Sequence, residues 1–89
     1  MNSHTTERFR KAFEQLPPEV QRSAKRAFNL WKENPDHPSL RFKQIHTTEF
    51  IFSVRVGLHY RALGVKDGDT MVWFWIGSHA EYDVLIEKL

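Results

Sequence analysis

The hydrophobic period of this chain changes once, at the polar link Asp36-His37-Pro38-Ser39, and that change limits the fold more than any other feature. Before the link, apolar residues recur at helical spacing. Phe9, Ala12, Phe13 and Leu16 fall at i, i+3, i+4 and i+7, on one face of a short helix. Leu16-Pro17-Pro18-Glu19 then breaks it, because proline lacks an N–H and disfavours helix in the residue before it. Pro18 suits the first turn of a second helix, and Glu19 is favourable near its positive end. Val20, Ala24, Ala27, Phe28 and Trp31 continue that helix until Asn34-Pro35 stops it. The first 34 residues thus read as an antiparallel helix pair with one apolar face to bury.

After the link the period is two. Leu40-Arg41-Phe42-Lys43 alternates apolar and basic residues, which places Arg41 and Lys43 on one strand face. Phe50, Phe52, Val54 and Val56 alternate with Ile51, Ser53 and Arg55, as in a strand covered on one side. Gly57 opens a short turn, His59 to Val65 return as the partner strand, and Asp67-Gly68-Asp69 signals a second hairpin. Met71 to Ile76 contains no polar residue and reads as a central strand covered on both faces. The aromatic run Trp73-Phe74-Trp75 in it reads as core rather than as a base-stacking platform. Ser78-His79-Ala80-Glu81 fits a capping box, and Tyr82, Leu85, Ile86 and Leu89 give the last helix an apolar face. The expected fold is α+β: two N-terminal helices packed on a four-stranded antiparallel sheet, with a short C-terminal helix.

At 89 residues this is one domain over residues 1–89, with 40% apolar and 27% charged residues, a globular composition. The absence of cysteine removes disulfides and thiolate zinc sites, and His4, His37, His46 and His59 lack metal-ligand spacing, so no cofactor or metal is expected. No apolar run is long enough to span a membrane and the start lacks the order of a signal peptide, so a cytoplasmic setting is expected. Residues 1–45 hold nine Lys/Arg against five Asp/Glu, whereas residues 46–89 hold four against six, giving the net +2. A basic front half suits a polyanion or an acidic partner, but a charge this modest also fits ordinary solvated helices.

Chemistry concentrates in the last third. Arg55 and Arg61 flank the Gly57 turn, and an always-charged guanidinium inside a strand must find water, a carboxylate or a phosphate. A two-residue turn would set Arg55 opposite Tyr60, and a three-residue turn would set it opposite Arg61. The sequence leaves both open. His79, in the opening turn of the last helix, combines a group titrating near neutrality with unpaired N–H groups that favour anions. Tyr82 lies one turn on and can reach the same place, although it also belongs to the apolar stripe. Lys43 and Arg41 are candidates to hold backbone phosphates, or simply basic residues that guard a sheet edge.

The order of these features, a hairpin with Tyr60-Arg61 on its second strand and then an apolar strand ending in Ile76-Gly77-Ser78-His79, resembles the RelE/ParE superfamily of bacterial toxins. The resemblance runs from Phe9 to Leu85. It implies a toxin of a toxin–antitoxin system, neutralised by a cognate antitoxin, whose ribonuclease branch cuts mRNA on the ribosome without a metal. It implies that Arg61 stabilises the phosphate and His79 serves as acid or base, with Tyr82 and Lys43 as weaker candidates. The alternative is a ParE-like gyrase inhibitor, or a toxin-like binding module without catalysis. Members usually open with a β-strand, and here only eight mostly polar residues precede Phe9. That strand is expected to be missing or very short, leaving a sheet edge open to a partner or to a second copy as a homodimer.

Overall fold

Each helix forms where an apolar stripe and a capping residue coincide. The computed structural model describes residues 2–46 and 48–88. Helix α1 (Glu7–Glu14) is capped by Thr6, whose hydroxyl accepts from the Phe9 N–H at 3.1 Å. Helix α2 (Pro18–Glu33) begins at Pro18, and its Gln21 amide donates to the Phe13 and Leu16 carbonyls, tying the interhelical turn. Helix α3 (His79–Ile86) carries the full capping box: the Glu81 N–H donates to the Ser78 hydroxyl at 3.1 Å, and the Ser78 N–H donates to the Glu81 carboxylate at 2.9 Å. Leu89, placed on its apolar face by the sequence pattern, lies outside the described residues.

The sheet has five strands in the order β1-β5-β4-β3-β2: β1 (Asn2–Thr5), β2 (Lys43–Gln44), β3 (Ile51–Val56), β4 (Tyr60–Asp67) and β5 (Thr70–Ser78). It is mixed, because β1 runs parallel to β5 while the other pairs are antiparallel. This corrects the expected four strands. Strand β1 has no apolar period to reveal it and is held by backbone bonds, with Asn2 N–H on the Asp69 carbonyl at 2.9 Å and Thr6 N–H on the Trp73 carbonyl at 3.0 Å. It covers the edge of β5 along Thr70–Trp73 that the sequence reading left open for a second copy. Strand β2 is also shorter than expected. Leu40 ends a 3-10 turn (Pro38–Leu40) and Arg41 is left-handed at φ 46°, so Arg41 and Lys43 do not share a strand.

The hairpin turns set the register. Three residues, Gly57-Leu58-His59, join β3 to β4, with Gly57 at φ +61°, and they place Arg55 opposite Arg61. Gly68-Asp69 joins β4 to β5, with Gly68 at φ +59°. Between Leu63 and Gly64 the ladder shifts: Gly64 pairs with Trp73 and Leu63 with Trp75, leaving Phe74 as the extra residue of a bulge. Two residues apart on one strand would normally share a face. The bulge instead sends Trp73 and Trp75 to opposite faces.

Helices α1 and α2 cover one face. Trp31 of α2 is 2% exposed and stands edge-on to Trp73 at 5.3 Å and to Phe42 at 6.0 Å. Val54, Val56, Ala62, Met71 and Ile76 complete this core. The two helices do not close over it entirely: an apolar cleft of about 420 Å³ remains between them and the sheet, bordered by Phe9, Phe13, Phe28 and Trp73. Helix α3 lies on the other face, beside Ser53 and Arg61.

Candidate functional site

Strand alternation puts Ser53 and Arg55 of β3, Arg61 of β4, and Trp75 and Gly77 of β5 on the α3 side of the sheet. Arg61 is the centre of this face. It is only 8% exposed, and its Nε and Nη1 are buried without a hydrogen-bond partner. Its guanidinium lies over the Tyr82 ring, 5.4 Å from the centroid. Among the described residues no carboxylate forms an ion pair with Arg61 or Arg55. A buried, permanently charged group in this condition is costly to the fold unless an anion completes it.

Tyr82 organises what surrounds it. It is 4% exposed and its hydroxyl donates to the hydroxyl of Ser53, itself fully buried, at 3.3 Å. The phenol is therefore committed to the sheet, and its ring serves as a wall on which Arg61 and His79 both rest. His79 meets that ring edge-on at 5.8 Å. The backbone fixes His79 as well, since its N–H donates to the His59 carbonyl in the β3–β4 turn at 2.7 Å. Its imidazole Nε2 lies 3.4 Å from the Asp83 carboxylate, an ion pair whenever the ring is protonated. Both side chains are about half exposed, so a ligand can approach the imidazole from solvent. Arg61 and His79 thus converge on one aromatic wall, one as a buried fixed cation and the other as an accessible titratable group.

The remaining sequence candidates separate. The three-residue turn puts Arg55 on the Arg61 face, but its Nε donates to the Gly57 carbonyl at 3.0 Å and it borders a shallow cleft with Ser23, Arg26 and Leu58. Lys43 is exposed on β2 opposite Ser53, one strand further from Arg61, on the same side of the sheet. Arg41 is exposed on the turn before β2 and joins no cluster with the others. Two neighbours escaped the sequence reading. Asp83 sits at i+4 from His79, a spacing that on a helix implies contact. Ser53 was legible as the one small polar residue in the β3 pattern, but its bond to Tyr82 spans 29 positions and has no local signal. Glu81 is held below the ordinary carboxylate range by the Ser78 backbone N–H and then by the Ser78 hydroxyl, so it is committed to the cap. Among the described residues no group of His, Asp and Glu is placed to hold a metal ion, and no helix is long and apolar enough to cross a membrane.

Comparison with known proteins agrees with this architecture. A family model described as a ParE-like toxin domain matches residues 18–84. No curated protein has a significantly similar sequence. Solved structures share the fold at low identity. The RelB–RelE antitoxin–toxin complex of Methanococcus jannaschii superposes with a TM-score of 0.71 at 20% identity, over 90% of this chain and 95% of that one. YafQ of E. coli strain BL21(DE3) gives 0.73 at 10% identity, over 91% and 96%. The isolated E. coli RelE toxin gives 0.67 at 14% identity, over 99% and 98%.

Proposed function

The chain belongs to the family of ParE-like toxin domains, and from that premise we propose that it is the toxin of a toxin–antitoxin pair acting as a metal-independent, ribosome-dependent endoribonuclease. The observation that carries the reading is Arg61: a buried guanidinium with two unpartnered donors beside an accessible histidine. In this reading a scissile phosphate binds between Arg61 and His79 on the Tyr82 wall. The ribose 2′-oxygen attacks phosphorus, the P–O5′ bond breaks, and a 2′,3′-cyclic phosphate forms. Arg61 stabilises the negative charge that grows on the phosphate. His79, protonated and paired with Asp83, donates its proton to the leaving 5′-oxygen while solvent water takes the 2′-proton, or in neutral form takes the 2′-proton while water protonates the 5′-oxygen. Lys43, on the same side of the sheet, and Arg55, beside the Gly57 turn, hold flanking phosphates and position the strand without reading its sequence. A structural neighbour solved as a RelB–RelE antitoxin–toxin complex supports an antitoxin as the protein partner.

Induced expression tests the reading when growth and mRNA integrity are followed together. Arrest with cleaved mRNA is expected in the parent, and Arg61→Ala or His79→Ala should lose about a hundredfold or more of activity, the usual scale for such a group. The family description is itself ParE-like, which keeps a gyrase-blocking toxin as the second reading. Arrest with intact mRNA and altered DNA supercoiling would favour that one.

A further inference from the structure

We infer that Trp75 is a stacking platform for an unpaired nucleobase of the RNA strand whose phosphate Arg61 holds, an inference that rests on the phosphate-site reading above. Three independent features of the chain converge on this residue. The first is the β-bulge at Phe74, which pairs Trp75 with Leu63 and so turns its indole to the Arg61 face while Trp73 stays in the helix-covered core. Without the extra residue, Trp75 would follow Trp73 into that core. Bulges beside functional sites commonly re-aim a side chain in this way.

The second feature is Gly77. It stands opposite Arg61, and a Cβ built there would lie 2.7 Å from Cζ2 and 2.9 Å from Cη2 of Trp75. Only Gly57 and Gly68 among the glycines have positive φ, so the backbone does not demand glycine at position 77. Its missing side chain leaves the space that the indole edge occupies, at the position opposite the arginine. The third is aromatic continuity. The Trp75 and Tyr82 rings are 6.5 Å apart, and Tyr82 in turn meets His79 at 5.8 Å and Arg61 at 5.4 Å. An indole, a phenol and an imidazole form a row with one guanidinium against it. Single-stranded RNA is held by this pairing of cation and aromatic faces, one for the phosphate and one for the splayed base. Trp75 is partly exposed, whereas Trp31 and Trp73 are 2% and 4% exposed. Tryptophan emission therefore offers a reporter of the site.

The test is a fluorescence titration of the full chain with a hexa-adenylate RNA, with inorganic phosphate as the control. The oligonucleotide should quench emission of the parent, phosphate should not, and Trp75→Phe should abolish the quench. Trp75→Ala should bind the RNA about tenfold more weakly, the scale of one lost base stack. A parent that shows no quench, a quench that survives in Trp75→Phe, or an unchanged affinity in Trp75→Ala would overturn the stacking site. Should Trp75→Ala fail to fold, the Trp75→Phe titration still decides. The toxicity of Arg61→Ala tests the phosphate site separately, so the two readings fail by different measurements.

Discussion

Arg61 is a buried, charged residue that is unfavourable for the fold and to which the proposed function gives a use. Its Nε and Nη1 are buried over an aromatic ring, and among the described residues they have no hydrogen-bond partner and no carboxylate in ion-pair contact. Replacing such a cation by an apolar side chain of similar length removes its desolvation penalty. Arg61→Met is therefore expected to raise stability by about 1–3 kcal/mol in urea unfolding while abolishing toxicity. A variant less stable than the parent would mean that the arginine is a structural element instead. Tyr82 makes the complementary case. Its hydroxyl reaches Ser53 at 3.3 Å, and Tyr82→Phe should cost about 1 kcal/mol and leave the wall in place. Activity of that variant should fall little, because the ring, and not the hydroxyl, meets Arg61 and His79. Gly77→Ala tests the crowded spot beside Arg61: a Cβ 2.7 Å from Trp75 forces the indole aside, at about 1–3 kcal/mol by thermal unfolding.

At the scale of elements, α3 is the part on which the site depends, and its start is fixed by two reciprocal bonds. Ser78→Ala removes the acceptor for the Glu81 N–H and should cost about 1 kcal/mol in a thermal melt. The same box has a pH dependence of known sign. Glu81 titrates below its ordinary range, mainly because the Ser78 N–H bonds its carboxylate, so its contribution is complete above that range and is lost as pH falls through the lowered value. At this exposure the effect is well under about 1 kcal/mol. The melting difference between parent and Glu81→Gln should be largest at neutral pH and shrink toward pH 3; a constant difference would remove the carboxylate from the cap.

These elements also show what a sequence can reveal. The capping box, the Pro18 helix start and the two glycine turns are written in a few adjacent residues and were legible as such. Strand β1 was not, because Asn2-Ser3-His4-Thr5 gains its order from the backbone of β5 and buries no apolar face of its own. Nor was the hairpin register, which one extra turn residue decides, or the bulge that separates Trp73 from Trp75. Arg41 was misplaced for a related reason: alternation over four residues cannot exclude a 3-10 turn that ends in a left-handed residue. The candidate residues could be picked out by type. Their company was not, since Ser53, Arg61, Trp75 and Tyr82 meet only once three strands and a helix have assembled.

Taken whole, the molecule divides its work between the faces of one sheet. The α1–α2 side holds the aromatic core around Trp31 and Trp73, and the α3 side carries the exposed histidine and the unpaired arginine. The fold is shared with solved toxin structures at 10–20% identity. The central claim is that Arg61 and His79 act together on one phosphate. Its most direct test is a purified translation reaction programmed with a single mRNA, in which cleavage is followed by primer extension for the parent, Arg61→Ala, His79→Ala and the double variant. Cleavage by the parent is expected without added metal beyond that the ribosome requires. Each single variant should fall about a hundredfold or more, and the double variant should be little worse than either single one, as for groups that serve one step. Parent-like cleavage by either single variant, or intact mRNA with the parent protein, would contradict the account.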